Sequence, residues 1–310
     1  MKRIVIAAVL AAWLAPFSSA NAGWVLVCTP AGGGAPTRQN MSGSGADGFA
    51  EACVKAGQRG RVGCFDGGGQ LGTCPALGGQ AGLTLDDIAN NAAASACASY
   101  SWQERGQAPI GYIRGVAASY ARAVCRARAG AGGATARIAG PLGDQSADAL
   151  AWYRANGAPM SNPLRDVYTL ALGEGMRESS GNPTEGADTT ASNQTADSAE
   201  AGLFQSSYDS FRADPALAQL WKAYHDNPGA CLLNVFMQGS VDKDQAPVGT
   251  GPAAEFQTFT KQCPSFALDY ALVLFRVLRQ HFGPINRVEA EFRPECTAML
   301  TEIESSVTCQ

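Results

Sequence analysis

Glu178 stands in the last turn of an apolar helical run and is followed at once by Ser179-Ser180-Gly181-Asn182-Pro183, a sequence that stops a helix. A carboxyl group in that place can carry acid–base chemistry. Burial against Leu172, Met176 and Phe204 would disfavour its ionised form, and the negative end of the helix dipole pushes the same way. Glycoside cleavage requires such a group, a carboxylic acid that still holds its proton near neutral pH and can give it to the leaving oxygen. Glu174 lies one turn back on the same face and is expected to be ion-paired with Arg165 or Arg177. A polar, turn-rich segment, 184–200, follows and contains Asp188 and Asp197, and after it comes Gly202-Leu203-Phe204-Gln205.

This order resembles the lysozyme-like superfamily, specifically the goose-type lysozymes and the soluble lytic transglycosylases. Glu178-Ser179 takes the place of their catalytic Glu-Ser pair. Gly202-Leu203-Phe204-Gln205 takes the place of their Gly-Leu-Met-Gln, with Phe204 where methionine is common. Phe282-Gly283-Pro284-Ile285-Asn286-Arg287 is similar to a sequence that recurs near the end of a secreted branch of that superfamily. The resemblance covers about residues 160–240, and the helical remainder to about 290 is compatible with it. It implies a helical domain with a small β or loop region at a cleft, and a secreted enzyme that cuts the β-1,4 bond between N-acetylmuramic acid and N-acetylglucosamine. Glu178 would be the general acid. An aspartate would hold the attacking water, with Asp197 the closer match in spacing and Asp188 in a tight turn. Ser179 and Gln205 would meet the substrate, joined by Asn193, Ser206 and Tyr208 as polar side chains able to reach sugar hydroxyls and acetamides. Tyr208, Trp221 and Tyr224 are candidates for stacking on sugar faces. With a carboxylate holding water the reaction is a hydrolysis; without one the substrate's own groups give a 1,6-anhydro product. A chitinase or chitosanase on the same fold, or a non-catalytic protein that binds wall glycan, are the other readings.

The elements that must position these groups are mostly helices. Asn162 caps a helix that opens with Pro163 and carries Leu164, Val167, Tyr168 and Ala171 on one face. A long apolar helix begins at Pro264-Ser265 and ends at Gly283-Pro284. Upstream, Thr84 with Asp87 forms a capping box, and Pro109 opens a helix with Ile113, Val116, Tyr120 and Val124 on one face.

Composition bounds the rest. Met1-Lys2-Arg3, a short apolar run and Ala20-Asn21-Ala22 read as a secretory signal peptide cut after Ala22, and the protein is expected to be secreted or periplasmic. Loss of Lys2 and Arg3 takes the formal charge from −4 to −6, which disfavours nucleic acid as a partner; peptidoglycan or a related amino-sugar polymer is expected instead. No later run is apolar enough for a membrane span. Ten cysteines, none spaced C-x-x-C, and only two histidines point to disulfides, with no metal and no organic cofactor implied. The expected organisation is a signal peptide at 1–22, a small disulfide-rich module at 23–128, a Gly/Ala linker at 129–144 and a mainly α, lysozyme-like domain at 145–310. Cys97–Cys125, Cys231–Cys263 and Cys296–Cys309 are the expected pairings outside the first four cysteines.

Overall fold

The computed structural model describes residues 84–187, 195–243 and 245–309, together with the backbone of strand residues 25–28, 37–40, 64–65 and 71–72. The expected signal peptide lies outside the described residues. The chain divides into two compact units, Met1–Ala81 and Gly82–Gln310. In the first, β1 (Val25–Cys28), β2 (Thr37–Asn40), β3 (Cys64–Phe65) and β4 (Leu71–Gly72) form one sheet of order β2-β1-β3-β4, with every pairing antiparallel.

The second unit is mainly helical. It runs α1 (Leu85–Ala93), β5 (Ser101–Trp102), β6 (Gly106–Gln107), α2 (Ile110–Arg128), α3 (Ala134–Ala139), α4 (Ala149–Ala155), α5 (Pro163–Ser179), β7 (Glu200–Ala201), β8 (Ser206–Ser207), α6 (Pro215–Asp226), α7 (Leu233–Phe236), α8 (Pro252–Gln262), α9 (Pro264–Val277), α10 (Gly283–Asn286) and α11 (Pro294–Ser306). The local signals act as their chemistry dictates. The Asp87 N–H donates to Thr84 Oγ1 at 3.2 Å while the Thr84 N–H donates to the Asp87 carboxylate at 3.0 Å, closing the capping box. The Arg165 N–H donates to Asn162 Oδ1 at 3.3 Å, and Pro163, which has no N–H to leave unpaired, fills the first position of α5.

α9 is the centre of the core: every residue from Pro264 to Arg276 is buried. α2 and α5 pack on it, and Ile113, Val116, Tyr120 and Val124 of α2 are all buried as their spacing predicts. Two aspartates taken into this core are paired with arginines. The Arg276 Nε donates to both oxygens of Asp148 at 3.1 Å, and Asp269 accepts from Arg126, Tyr168 and Tyr224 at 2.8–2.9 Å.

Three expectations are corrected here. The domain boundary falls after Ala81, not at 128–145, because the apolar face of α2 is buried in the same core as α5 and α9. Residues 129–144 are not a bare linker, since α3 lies within them and buries Thr135 and Ile138. The disulfides are Cys97–Cys296, Cys125–Cys309 and Cys231–Cys263. Cys231–Cys263 is as expected, whereas Cys97 and Cys125 each reach the C-terminal segment rather than one another. Their Cα atoms lie 4.7 and 5.2 Å from those of Cys296 and Cys309, within the span one disulfide needs. Among the described residues no helix is long and apolar enough to cross a membrane.

Candidate functional site

The end of α5 is closed by its own backbone and tied to the hairpin that follows. Ser180 takes a left-handed conformation (φ 56°), and the Ser180 and Gly181 N–H groups donate to the carbonyls of Met176 and Gly175, which closes the helix. The Ser179 hydroxyl, itself buried, donates to the Gly175 and Leu203 carbonyls at 3.0 and 2.9 Å and so ties the helix end to Gly202-Leu203-Phe204-Gln205. That tetrapeptide is the turn of a hairpin in which Glu200 pairs with Ser207 and Ala201 with Ser206. Gly202 has φ +76°, a conformation that suits glycine, and its N–H donates to the Glu185 carbonyl at 2.8 Å. Leu203 and Phe204 point into the core. Gln205 remains at the surface of the turn, its side-chain amide donating to the Gly202 carbonyl at 3.1 Å.

Glu178 and Gln205 thereby line one open cavity of about 430 Å³. Its other walls include Glu185, Glu200, Arg105, Arg177, Pro284, Arg287 and Glu289. Burial, reinforced by the negative charge of Glu200, pushes the Glu178 carboxyl up to about 7 against an opposing hydrogen bond from Glu174 and the positive charges of Arg105 and Arg287. Glu178 can therefore hold a proton at neutral pH and still release it. In the same lining, hydrogen bonding from Arg287, helped by Arg177, holds Glu289 down at about 2, so that carboxylate is a fixed negative charge. Glu185 is ion-paired with Lys243 at 2.8 Å.

Glu174 is not ion-paired as expected. Arg165 reaches Glu304 at 3.2 Å, and Arg177 reaches Glu104 at 3.3 Å and Glu289 at 3.1 Å. Glu174 is wholly buried, neither of its oxygens receives a hydrogen bond from a donor group among the described residues, and burial beside Glu178 pushes its carboxyl well above the usual range.

The other expected site residues are placed as follows. Asp197 is exposed, outside the cavity lining, and its backbone carbonyl accepts from the Asp209 N–H. Asp188 and Asn193 lie outside the described residues. Ser206 is buried in β8, and Tyr208 packs its ring on Phe211 and Phe256. Trp221 lies within an aromatic cluster with Phe256, Phe259 and Phe266, while Tyr224 is buried and donates to Asp269.

The sequence reading passed over Arg105, Glu185, Glu200, Arg287 and Glu289. Arg105 sits in the β5–β6 hairpin, in a stretch assigned to a separate module, and only the fold brings it to Glu178. Arg287 did carry a signal, as the last residue of the Phe282–Arg287 sequence, which places Pro284 beside it on the cavity wall. Among the described residues no group of three or more His, Cys, Asp or Glu is arranged to hold a metal ion. No known protein family, curated protein or solved structure matches the chain.

Proposed function

We propose that this protein is a secreted glycosidase that cleaves the β-1,4 bond between N-acetylmuramic acid and N-acetylglucosamine in peptidoglycan, on a lysozyme-like helical domain. The observation that carries the reading is Glu178: a half-buried carboxyl pushed up to about 7 on the wall of an open polar cavity. Glu178 gives its proton to the leaving O4 as the glycosidic bond breaks, and its carboxylate then acts as base. Glu200 lines the same cavity and its charge acts on Glu178, so it suits the second carboxylate, in place of Asp197, which lies outside the lining. With a water held by Glu200 the product is a reducing sugar. With attack by the substrate's own C6 hydroxyl, whose proton returns to Glu178, the product is a 1,6-anhydro sugar and no water is consumed.

The test is to incubate the purified protein with peptidoglycan sacculi and, separately, with chitin oligomers, and to weigh the released fragments. Muramyl-ended fragments from sacculi support the reading, and their mass separates the reducing from the anhydro product by one water. Cleavage of chitin alone, or tight binding of sacculi with no fragments released, would replace it.

A further inference from the structure

Glu174 is a buried carboxyl without a partner of the usual kind. A carboxylate sealed from water with no donor at either oxygen would carry an uncompensated charge, which proteins avoid by protonating the group. The helix around it is built to keep it sealed. On one side a Cβ at Gly173 would meet the Glu291 backbone at 2.3 Å, and on the other a Cβ at Gly175 would meet the Tyr112 hydroxyl at 2.2 Å. The two glycines admit these neighbours, although each weakens a helix interior by about 1 kcal/mol.

The groups that could answer the Glu174 proton are engaged elsewhere. From α2, the Tyr112 hydroxyl donates to the Ala171 and Leu172 carbonyls. From α4, the Tyr153 hydroxyl donates to the Ala290 carbonyl. Arg177 and Arg287 are the nearest cations, and their guanidinium groups bind Glu104 and Glu289. Glu178, four residues on and one turn along the same face, is the neighbouring carboxyl that acts on Glu174. On its outer side Glu178 faces Glu200 from β7 and Arg105 from the β5–β6 hairpin.

We infer that Glu174 is a positioning residue for Glu178, a proton-bearing carboxyl beneath the cleft that donates its O–H to the carboxylate left when Glu178 has given its own proton away. The hydrogen bond fixes the orientation of the Glu178 carboxyl, favours its charged form against burial and the charge of Glu200, and so sets the pH at which it yields its proton. The catalytic meaning rests on Glu178 being the general acid; the pairing does not.

The experiment is a carbon-13 NMR titration of the Glu178 carboxyl, assigned by its disappearance in Glu178→Gln, in the wild type, Glu174→Gln and Glu174→Met. Methionine fills the space and removes the donor, so the Glu178 midpoint should rise by at least about one pH unit. Glutamine keeps a donor and the shape, so the midpoint should hold within about half a unit or rise slightly. A Glu178 midpoint in Glu174→Met that is unmoved or lower overturns the inference. So does a fall of about one unit or more in Glu174→Gln, because that variant would then have removed a negative charge. If the methionine variant does not fold, the shape-conserving glutamine variant decides alone. Should no glycan be cleaved, the functional reading fails while the titration still decides the pairing.

Discussion

Replacing Glu178 with glutamine changes one oxygen to an amide and removes the ability to ionise. In the folded chain Glu178 holds its proton up to about 7, against an ordinary 4.5. Between those values the folded state binds more protons than the unfolded chain, so this group's contribution to stability is intact below the lower value. It is lost as the pH rises from one to the other and stays lost above. At ~1.4 kcal/mol per pH unit the gap is worth about 3 kcal/mol. Glutamine has no charge to bury. Glu178→Gln should therefore match the wild type at pH 4 and exceed it by about 2–3 kcal/mol at pH 8. In a domain of this size each kcal/mol moves Tm by about 2–4 °C, so the expected gap at pH 8 is about 5–10 °C. Calorimetry at the two pH values, with the disulfides intact, reads it directly. An equal difference at both pH values, or a variant that melts below the wild type at pH 8, would refute the assignment of a buried, proton-holding carboxyl.

Other consequences follow from the same geometry. Turnover should decline as the pH climbs through about 7, where Glu178 loses the proton it must donate, and a pH–rate profile with no such limb would count against it. Peptide mapping without reduction should recover Cys97 linked to Cys296 and Cys125 linked to Cys309; a Cys97–Cys125 peptide would contradict the fold. Removing Cys97–Cys296, which closes a separation of 199 residues, should cost up to about 5 kcal/mol in denaturant unfolding, more than removing Cys231–Cys263 with its 32. Gly173→Ala should destabilise by about 1–3 kcal/mol despite the better helix propensity of alanine, because the added Cβ meets fixed backbone at Glu291; a neutral or stabilising result would show that the neighbouring segment yields.

How much of this was legible in the chain depends on how local the signal is. The Asn162 cap, the Thr84–Asp87 box and the buried face of α2 are written within a few residues and appear where they were read. The Ala-Gly-Leu-Phe-Gln stretch folds as a tight turn against the helix end, the link running through the Ser179 hydroxyl. Glycine and alanine in 129–144 read as a linker because small residues carry no periodic stripe, yet a short helix, α3, forms there and buries Thr135 and Ile138. The cysteines were divided by position along the chain, whereas α2 is threaded into the middle of the domain and brings Cys125 to the C-terminal segment. Arg105 and Glu289 reach Glu178 only through contacts distant in sequence. Glu174 was judged by the charges one turn away, whereas its state follows from complete burial beside Glu178, which only the packed fold supplies.

The central claim is that the Glu178 proton breaks a glycosidic bond, and the most direct measurement is the rate at which wild type and Glu178→Gln release soluble fragments from purified peptidoglycan at pH 6. The account predicts steady release by the wild type and a loss of at least about 100-fold in the variant, with Tm at that pH no lower than that of the wild type. Equal rates from the two proteins would contradict it.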